Sequence, residues 1–274
     1  MNSILAVVEK EFKDGLRNRW LIAITMIFCL MASGISWFGS ANVGTVGFSS
    51  IANTIMSLSS LNVFLLPLIA LLLSYNAIVG EDEDGTLLLL LTYPLTKGQL
   101  LLGKLLGHSL ILAVATLVGF GSAALMIALF ADNVDLMQLL SAFGLFILSA
   151  NFLGTSFVCM AYVISSWVSE KSKAAGIALI LWFFFVLIYD MSLLGILVAT
   201  KGQVHAQVFP YLLLLNPTDI FRLINLLSFE GTGSGLLGMA SQLHFSLYGL
   251  FFSLTLWILL PLLLAYYRFS KRPI

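Results

Sequence analysis

Charge is what this chain has least of. Lysine, arginine, aspartate and glutamate make up 9% of its 274 residues, against 60% hydrophobic residues and a mean hydropathy of +1.04. A soluble domain carries roughly 25% charged residues, so this composition excludes an ordinary soluble protein and points to an integral membrane protein. The 13 basic and 13 acidic residues cancel, which gives no reason to expect nucleic-acid binding or attachment through a polybasic surface. Cysteine is nearly absent too. Cys29 and Cys159 stand alone in apolar runs, so neither a disulfide framework nor a CxxC redox or metal site is implied. There is no internal repeat and no tract long enough for a second soluble domain. The first apolar run, Ile4–Val8, is too short for a signal-peptide core and is followed by Glu9, Lys10, Glu11 and Lys13; the N-terminus is expected to be retained.

What is abundant is long apolar runs. A helix needs about 20 apolar residues to cross the ~30 Å hydrocarbon layer, and six segments qualify: Trp20–Phe38, Leu58–Val79, Leu105–Phe130, Leu136–Trp167, Ala174–Ala199 and Ser246–Tyr267. The fold expected is an all-α, multi-pass bundle in the lipid bilayer, a single domain over 1–274. Eleven of the 13 basic residues fall on one side of this arrangement (Lys10, Lys13, Arg17, Arg19, Lys97, Lys104, Lys171, Lys173, Arg268, Lys271, Arg272) and two, Lys201 and Arg222, on the other. That bias places both termini in the cytoplasm, with the uncharged Gly39–Ser57 loop and the acidic Ala131–Asp135 loop outside. Ala206–Thr218, apolar but holding Pro210 and Pro217, reads as a re-entrant or interfacial element within an external hairpin at 200–245. Ser3–Arg19 reads as an amphipathic helix on the inner membrane surface. Leu5, Val8, Phe12 and Leu16 recur at helical spacing, and Glu9/Lys13 and Lys10/Asp14 are i,i+4 pairs.

The densest negative charge, Glu81-Asp82-Glu83-Asp84, directly precedes the greasiest run, Leu87–Leu91. Inserting one acid at mid-membrane costs about 2.5–3.5 kcal/mol, so four together belong in water, between spans two and three. Asp84 is expected to cap a short helix, Gly85–Thr92, that ends at Pro94. Thr96-Lys97-Gly98-Gln99 then fits a capping box that opens a helix running into span three. Leucines rimmed by charge suggest a docking surface for another protein; folding back onto the membrane interface is the alternative. Gly98–Lys104 also spells GxxxxGK. Leu105 follows where a phosphate-binding loop needs Ser or Thr, and no strand precedes it, so no ATP site is expected in this chain.

The stretch 80–104, "GEDEDGTLLLLLTYPLTKGQLLLGK", resembles the cytoplasmic signature of ABC-2-type permeases. The likeness extends to the amphipathic N-terminal helix, the six spans and the "LNPTDIFR" segment before the last one. It implies a type V (ABCG-like) exporter fold in a bacterial inner membrane, with no cofactor of its own, ATP and Mg²⁺ being bound by a partner. Two copies of the chain would work with a dimer of cytoplasmic ATPases. Carried onto this sequence, Glu81, Asp82, Glu83, Asp84, Gly85, Thr86 and Leu87 would be the coupling element, and the loop with Glu170 and Lys171 a second contact. Overall similarity is to the branch of the family serving copper-site maturation of nitrous oxide reductase, which implies a periplasmic copper-handling protein on the outer face.

Other candidates are sparse. Asp190 is placed toward the outer leaflet, about 24 Å along its helix from Ala174; it reads as a pathway group or as a hydrated interfacial carboxylate. Asp219 and Arg222, three residues apart, form a structural pair or part of the outer face. Met26/Cys29, Met191 and His205 do not make a metal-site pattern. His108 is expected to be solvated or bonded to a carbonyl. Asn62, Asn76 and Asn151 are expected to bond between helices, and Gly103-xxx-Gly107 to permit close helix approach. A secondary transporter or channel is the alternative function, opposed by the scarcity of intramembrane charge. An intramembrane enzyme is opposed by the lack of a His/Glu or Ser/His constellation.

Overall fold

The computed structural model describes residues 3–38, 50–131, 134–200, 209–228 and 245–272. Expectations about 39–49, 201–208 (with Lys201 and His205) and 229–244 fall outside those residues. The described chain is helical: α1 (Ser3–Arg17), α2 (Trp20–Phe38), α3 (Ile51–Ser74), α4 (Val79–Glu83), α5 (Thr86–Thr92), α6 (Lys97–Phe130), α7 (Leu136–Trp167), α8 (Lys171–Phe183), a π-helical turn (Phe184–Ile188), α9 (Tyr189–Ala199), α10 (Phe209–Leu213), α11 (Pro217–Leu227) and α12 (Leu247–Lys271). Among the described residues, six helical segments are long and apolar enough to cross a membrane. They are α2, α3 with its continuation, α6, α7, α8–α9 and α12, the six read from the sequence.

Boundaries moved where caps decide them. Ser50 accepts a hydrogen bond from the Asn53 amide (3.3 Å), so α3 starts at Ile51, seven residues before the expected span. Thr96 and Gln99 form the expected capping box at α6, and Asp135 caps α7 through the Met137 and Gln138 amides. Ser246 caps α12, which runs on to Lys271.

The core is built around α7, which packs on α3, α6, α11 and α12. An aromatic ladder crosses the bundle: Phe28 of α2 meets Phe120 of α6 at 4.9 Å, Phe120 meets Phe146 of α7 at 4.8 Å, and Phe146 meets Phe221 of α11 at 5.9 Å. Asn151 bonds across to Thr116 of α6 (2.9 Å) as expected, whereas Asn62, buried in α3, has no hydrogen-bond partner. The ends of the bundle differ. α1, α4, α5, the start of α6 and the end of α12 cluster at one end, here the terminal end; α10 and α11 pack beside α9 and the start of α12 at the other, the far end.

Candidate functional site

At the terminal end, glycines on α6 let α1 come close. A Cβ built on Gly103 would stand 2.6 Å from Val7 Cβ, and one on Gly107 2.6 Å from Glu11 Cβ. The small-residue pattern therefore works, with the amphipathic helix as its partner. The buried face of α1 is Val7, Glu11 and Gly15; Leu5 and Leu16, expected on the apolar stripe, are exposed.

This approach carries Glu11 onto Lys104. The Lys104 ammonium, 4% exposed, donates to Glu11 Oε1 at 2.7 Å and to Glu81 Oε1 at 2.9 Å. Lys10 closes the cluster, 2.7 Å from Glu81 and 3.2 Å from Glu11. His108, one turn on, is buried. Its Nδ1 shares a 2.6 Å hydrogen bond with Tyr162 Oη of α7, and its Nε2 lies 3.6 Å from Glu11. The expectation of a solvated His108 fails because α1 covers it. Burial pushes the Glu11 carboxyl up, but Lys104, His108 and Lys10 outweigh it and hold it below the ordinary glutamate value. A buried charge persists when its partners are this close. A cleft of about 680 Å³ opens between α1 and α4–α5, with Lys104, His108, Tyr75 and Tyr93 among its walls.

The acidic run forms its own helical turn. Ser165 Oγ of α7 accepts the Ile78 and Val79 amides at 2.9 and 3.0 Å, where α4 starts just before the acidic run. Asp84 is therefore the C-cap of α4 and does not cap α5 as expected. Gly85, at φ 71°, takes the N-cap of α5 in a backbone region that suits glycine. All four acids have partners within the chain. Glu81 holds Lys104, Lys10 and the Thr86 hydroxyl. Asp82 accepts from Arg272 Nη2 at 2.6 Å, Glu83 from the Lys171 amide at 3.0 Å, and Asp84 from Lys171 Nζ at 2.7 Å. Glu170 pairs with Lys173. The predicted coupling residues are thus together, tied to α1, α6, α8 and the end of α12. Leu87 is buried, while Leu88, Leu89 and Tyr93 are 59%, 64% and 66% exposed. The GxxxxGK segment lies within α6, and its lysine is occupied by two glutamates.

At the far end the structure joins three residues that the sequence offered separately. Arg222 Nη1 bonds Asp190 Oδ2 and, at 3.1 Å, Asp219 Oδ1. Asn216 caps α11 through the Thr218 amide (3.1 Å) and donates to Asp219 Oδ2 (3.1 Å) and to Phe185 O (3.0 Å), a carbonyl in the π-helical turn. Asp190 Oδ1 is buried and has no hydrogen-bond partner among the described residues. Two carboxylates thus share one guanidinium. Burial and the neighbouring Asp190 push the Asp219 carboxyl up to about 7, Arg222 acting in the opposite direction. Among the described residues, no group of three His, Cys, Asp or Glu is placed to hold a metal ion.

Sequence reasoning missed Glu11, Lys104, His108, Tyr162 and Arg272. A signal existed for the first two: Glu11 shares a helical face with Val7 and Gly15, and Lys104 lies between the two close-approach glycines.

A bundle of six apolar helices with an acidic helical turn bolted at one end is the frame of a transporter permease. The sequence model of the ABC-2 family transporter proteins matches residues 5–273. The chain belongs to that family and is a multi-pass membrane permease subunit of the ABC type, which implies an ATPase partner. It is 55% identical to the probable ABC transporter permease protein NosY of Stutzerimonas stutzeri over 274 residues, 99% of each chain. It is also 55% identical, over 275 residues and 100% of each chain, to the protein of the same description from Pseudomonas aeruginosa.

Proposed function

We propose that this permease converts ATP hydrolysis on a separate cytoplasmic ATPase into a movement at the periplasmic face, in the copper-site maturation of nitrous oxide reductase. The observation that carries the coupling reading is the construction of α4–α5. Leu88, Leu89 and Tyr93 face outward, while the acids behind them are tied to four other helices. An exposed apolar face on a braced support suits the groove of a partner protein. The maturation role rests on the likeness to the two NosY permeases.

In this reading both termini and 80–104 are cytoplasmic, in a bacterial inner membrane. Helix α1 is the amphipathic helix and 209–228 belong to an external, re-entrant hairpin, as in type V exporters. Two copies of the chain pair with two ATPases. Closure of the ATPases on ATP displaces α5. The Glu81–Lys104–Glu11 cluster passes that displacement to α6 and α1, because a paired buried charge resists separation. Glu170 and Lys171 move with α4 through Asp84. Asp190, Asp219 and Arg222 belong to the outer face, near a periplasmic copper-handling partner. ATP and Mg²⁺ stay with the ATPase.

The test is co-purification of the permease with its cognate ATPase, using Leu88→Asp/Leu89→Asp. The expected result is loss of the ATPase with the permease melting temperature unchanged, since both side chains are exposed. Undiminished co-purification would sink the docking reading, and loss of membrane insertion would favour α5 lying on the bilayer.

A further inference from the structure

A second pocket lies at the terminal end, away from the coupling helix. It measures about 270 Å³ and is lined by Ser166, Trp167, Ser169, Arg268, Lys271 and Arg272. No carboxylate of the described residues lines it. Among the described residues neither Arg268 nor Lys271 has an ion-pair partner; Lys271 lies over the Tyr267 ring at 4.2 Å. Arg272 uses Nη2 on Asp82 and on Val168 O (3.2 Å), leaving Nη1 buried without an acceptor. Three cations, one with an unmet donor, thus surround a cavity to which the described residues supply two hydroxyls and no lining carboxylate. A phosphate group matches that donor set.

The surroundings say what carries the phosphate. The pocket sits at the ends of two apolar helices, α7 and α12, beside an exposed tryptophan of the kind that marks a membrane interface. The outer face of α12 leading to it is an exposed apolar track, Leu256, Leu259, Leu260, Leu263, Leu264 and Tyr267. Acyl chains have a surface to lie on, and basic pockets between membrane helices suit anionic headgroups. We propose that this pocket binds the headgroup of an anionic phospholipid. The bound phosphate neutralises Arg268 and Lys271 next to the Arg272–Asp82 tie, so the lipid braces the end of α12 against the acidic turn.

The experiment is native mass spectrometry of the purified full-length chain titrated with phosphatidylglycerol or with phosphatidylcholine of the same acyl chains. The wild type should retain phosphatidylglycerol about tenfold more tightly. Arg268→Gln/Lys271→Gln should lose that preference, and Arg268→Lys/Lys271→Arg should keep it. Arg17→Gln/Lys173→Gln removes equal charge from exposed sites elsewhere and should also keep it. Equal retention of the two lipids by the wild type overturns the proposal. So does an equal loss in the Arg17/Lys173 variant, which would mean general surface charge. Displacement of the lipid by millimolar inorganic phosphate would make this a free-phosphate site and overturn the lipid assignment.

Discussion

At the terminal end two lysines face two glutamates; at the far end one arginine faces two aspartates. Both clusters tie separate helices together, and both are mostly shielded from solvent, yet Glu11 and Asp219 are shifted in opposite directions. Glu11 is held below its ordinary value by cations that outweigh its burial. Asp219 is pushed up to about 7, because burial and a second carboxylate exceed what one arginine supplies. A charge-matched cluster behaves as a permanent bolt. A cluster one cation short is a tie whose strength depends on where a proton sits.

The largest effect expected follows from removing the cation of the matched cluster. Lys104→Met takes away the buried lysine and leaves two largely buried glutamates to the half-exposed Lys10, and should cost about 3–5 kcal/mol, read as a lowered melting temperature of the purified chain. Arg222→Met should cost less, because Asp219 can take up a proton in place of its partner. Equal losses would break the distinction. The close approach behind the bolt is tested by Gly107→Ala, whose new methyl would meet Glu11 Cβ. Pushing α1 from α6 should cost about 1–3 kcal/mol and lower ATPase coupling with it.

How far these clusters could be foreseen depended on the range of their partners. The six spans were legible because each is a run of about 20 apolar residues. The α6 capping box and the glycine pair were legible because their residues lie within four positions of each other. Glu11 was not: Lys10/Asp14 and Glu9/Lys13 gave α1 a self-sufficient polar side, and the partner that buries Glu11 is 93 residues away. The early start of α3 was hidden because Asn53, Thr54 and Ser57 dilute the hydropathy there. The tie from Asp190 to Arg222 crosses from one helical segment to another, so spacing revealed the Asp219–Arg222 half alone. The π-helical turn at Phe184–Ile188 has no breaker residue to announce it.

The proton dependence of the far end gives the next effect in size. An acid whose folded value is raised contributes stability that is complete below its unfolded value, near 3.8, and lost as pH rises through about 7. Relative to Asp219→Asn, the wild type should therefore lose melting temperature between pH 5 and pH 8, by about 2–6 °C. Glu11 does not contribute to it, since a lowered acid loses its stabilising effect only as pH falls below the ordinary glutamate range. The same pH dependence in Asp219→Asn as in the wild type would show that Asp219 is not the titrating group.

The smallest effect is the most discriminating. Asp190→Asn keeps an oxygen for Arg222 and removes the surplus negative charge, leaving one arginine to one aspartate. Among the described residues no donor bonds Oδ1, so the stability change at pH 5 should stay below about 1 kcal/mol. The melting temperature should then fall less between pH 5 and pH 8, because the neighbouring charge that helps raise the Asp219 carboxyl is gone. The equivalent change at the terminal end, Glu81→Gln, instead removes a charge that two lysines need, and should cost more. If Asp190→Asn proved the more damaging of the two, the far-end carboxylate would be a required charge rather than a surplus one, and the contrast between bolt and proton-dependent tie would fail.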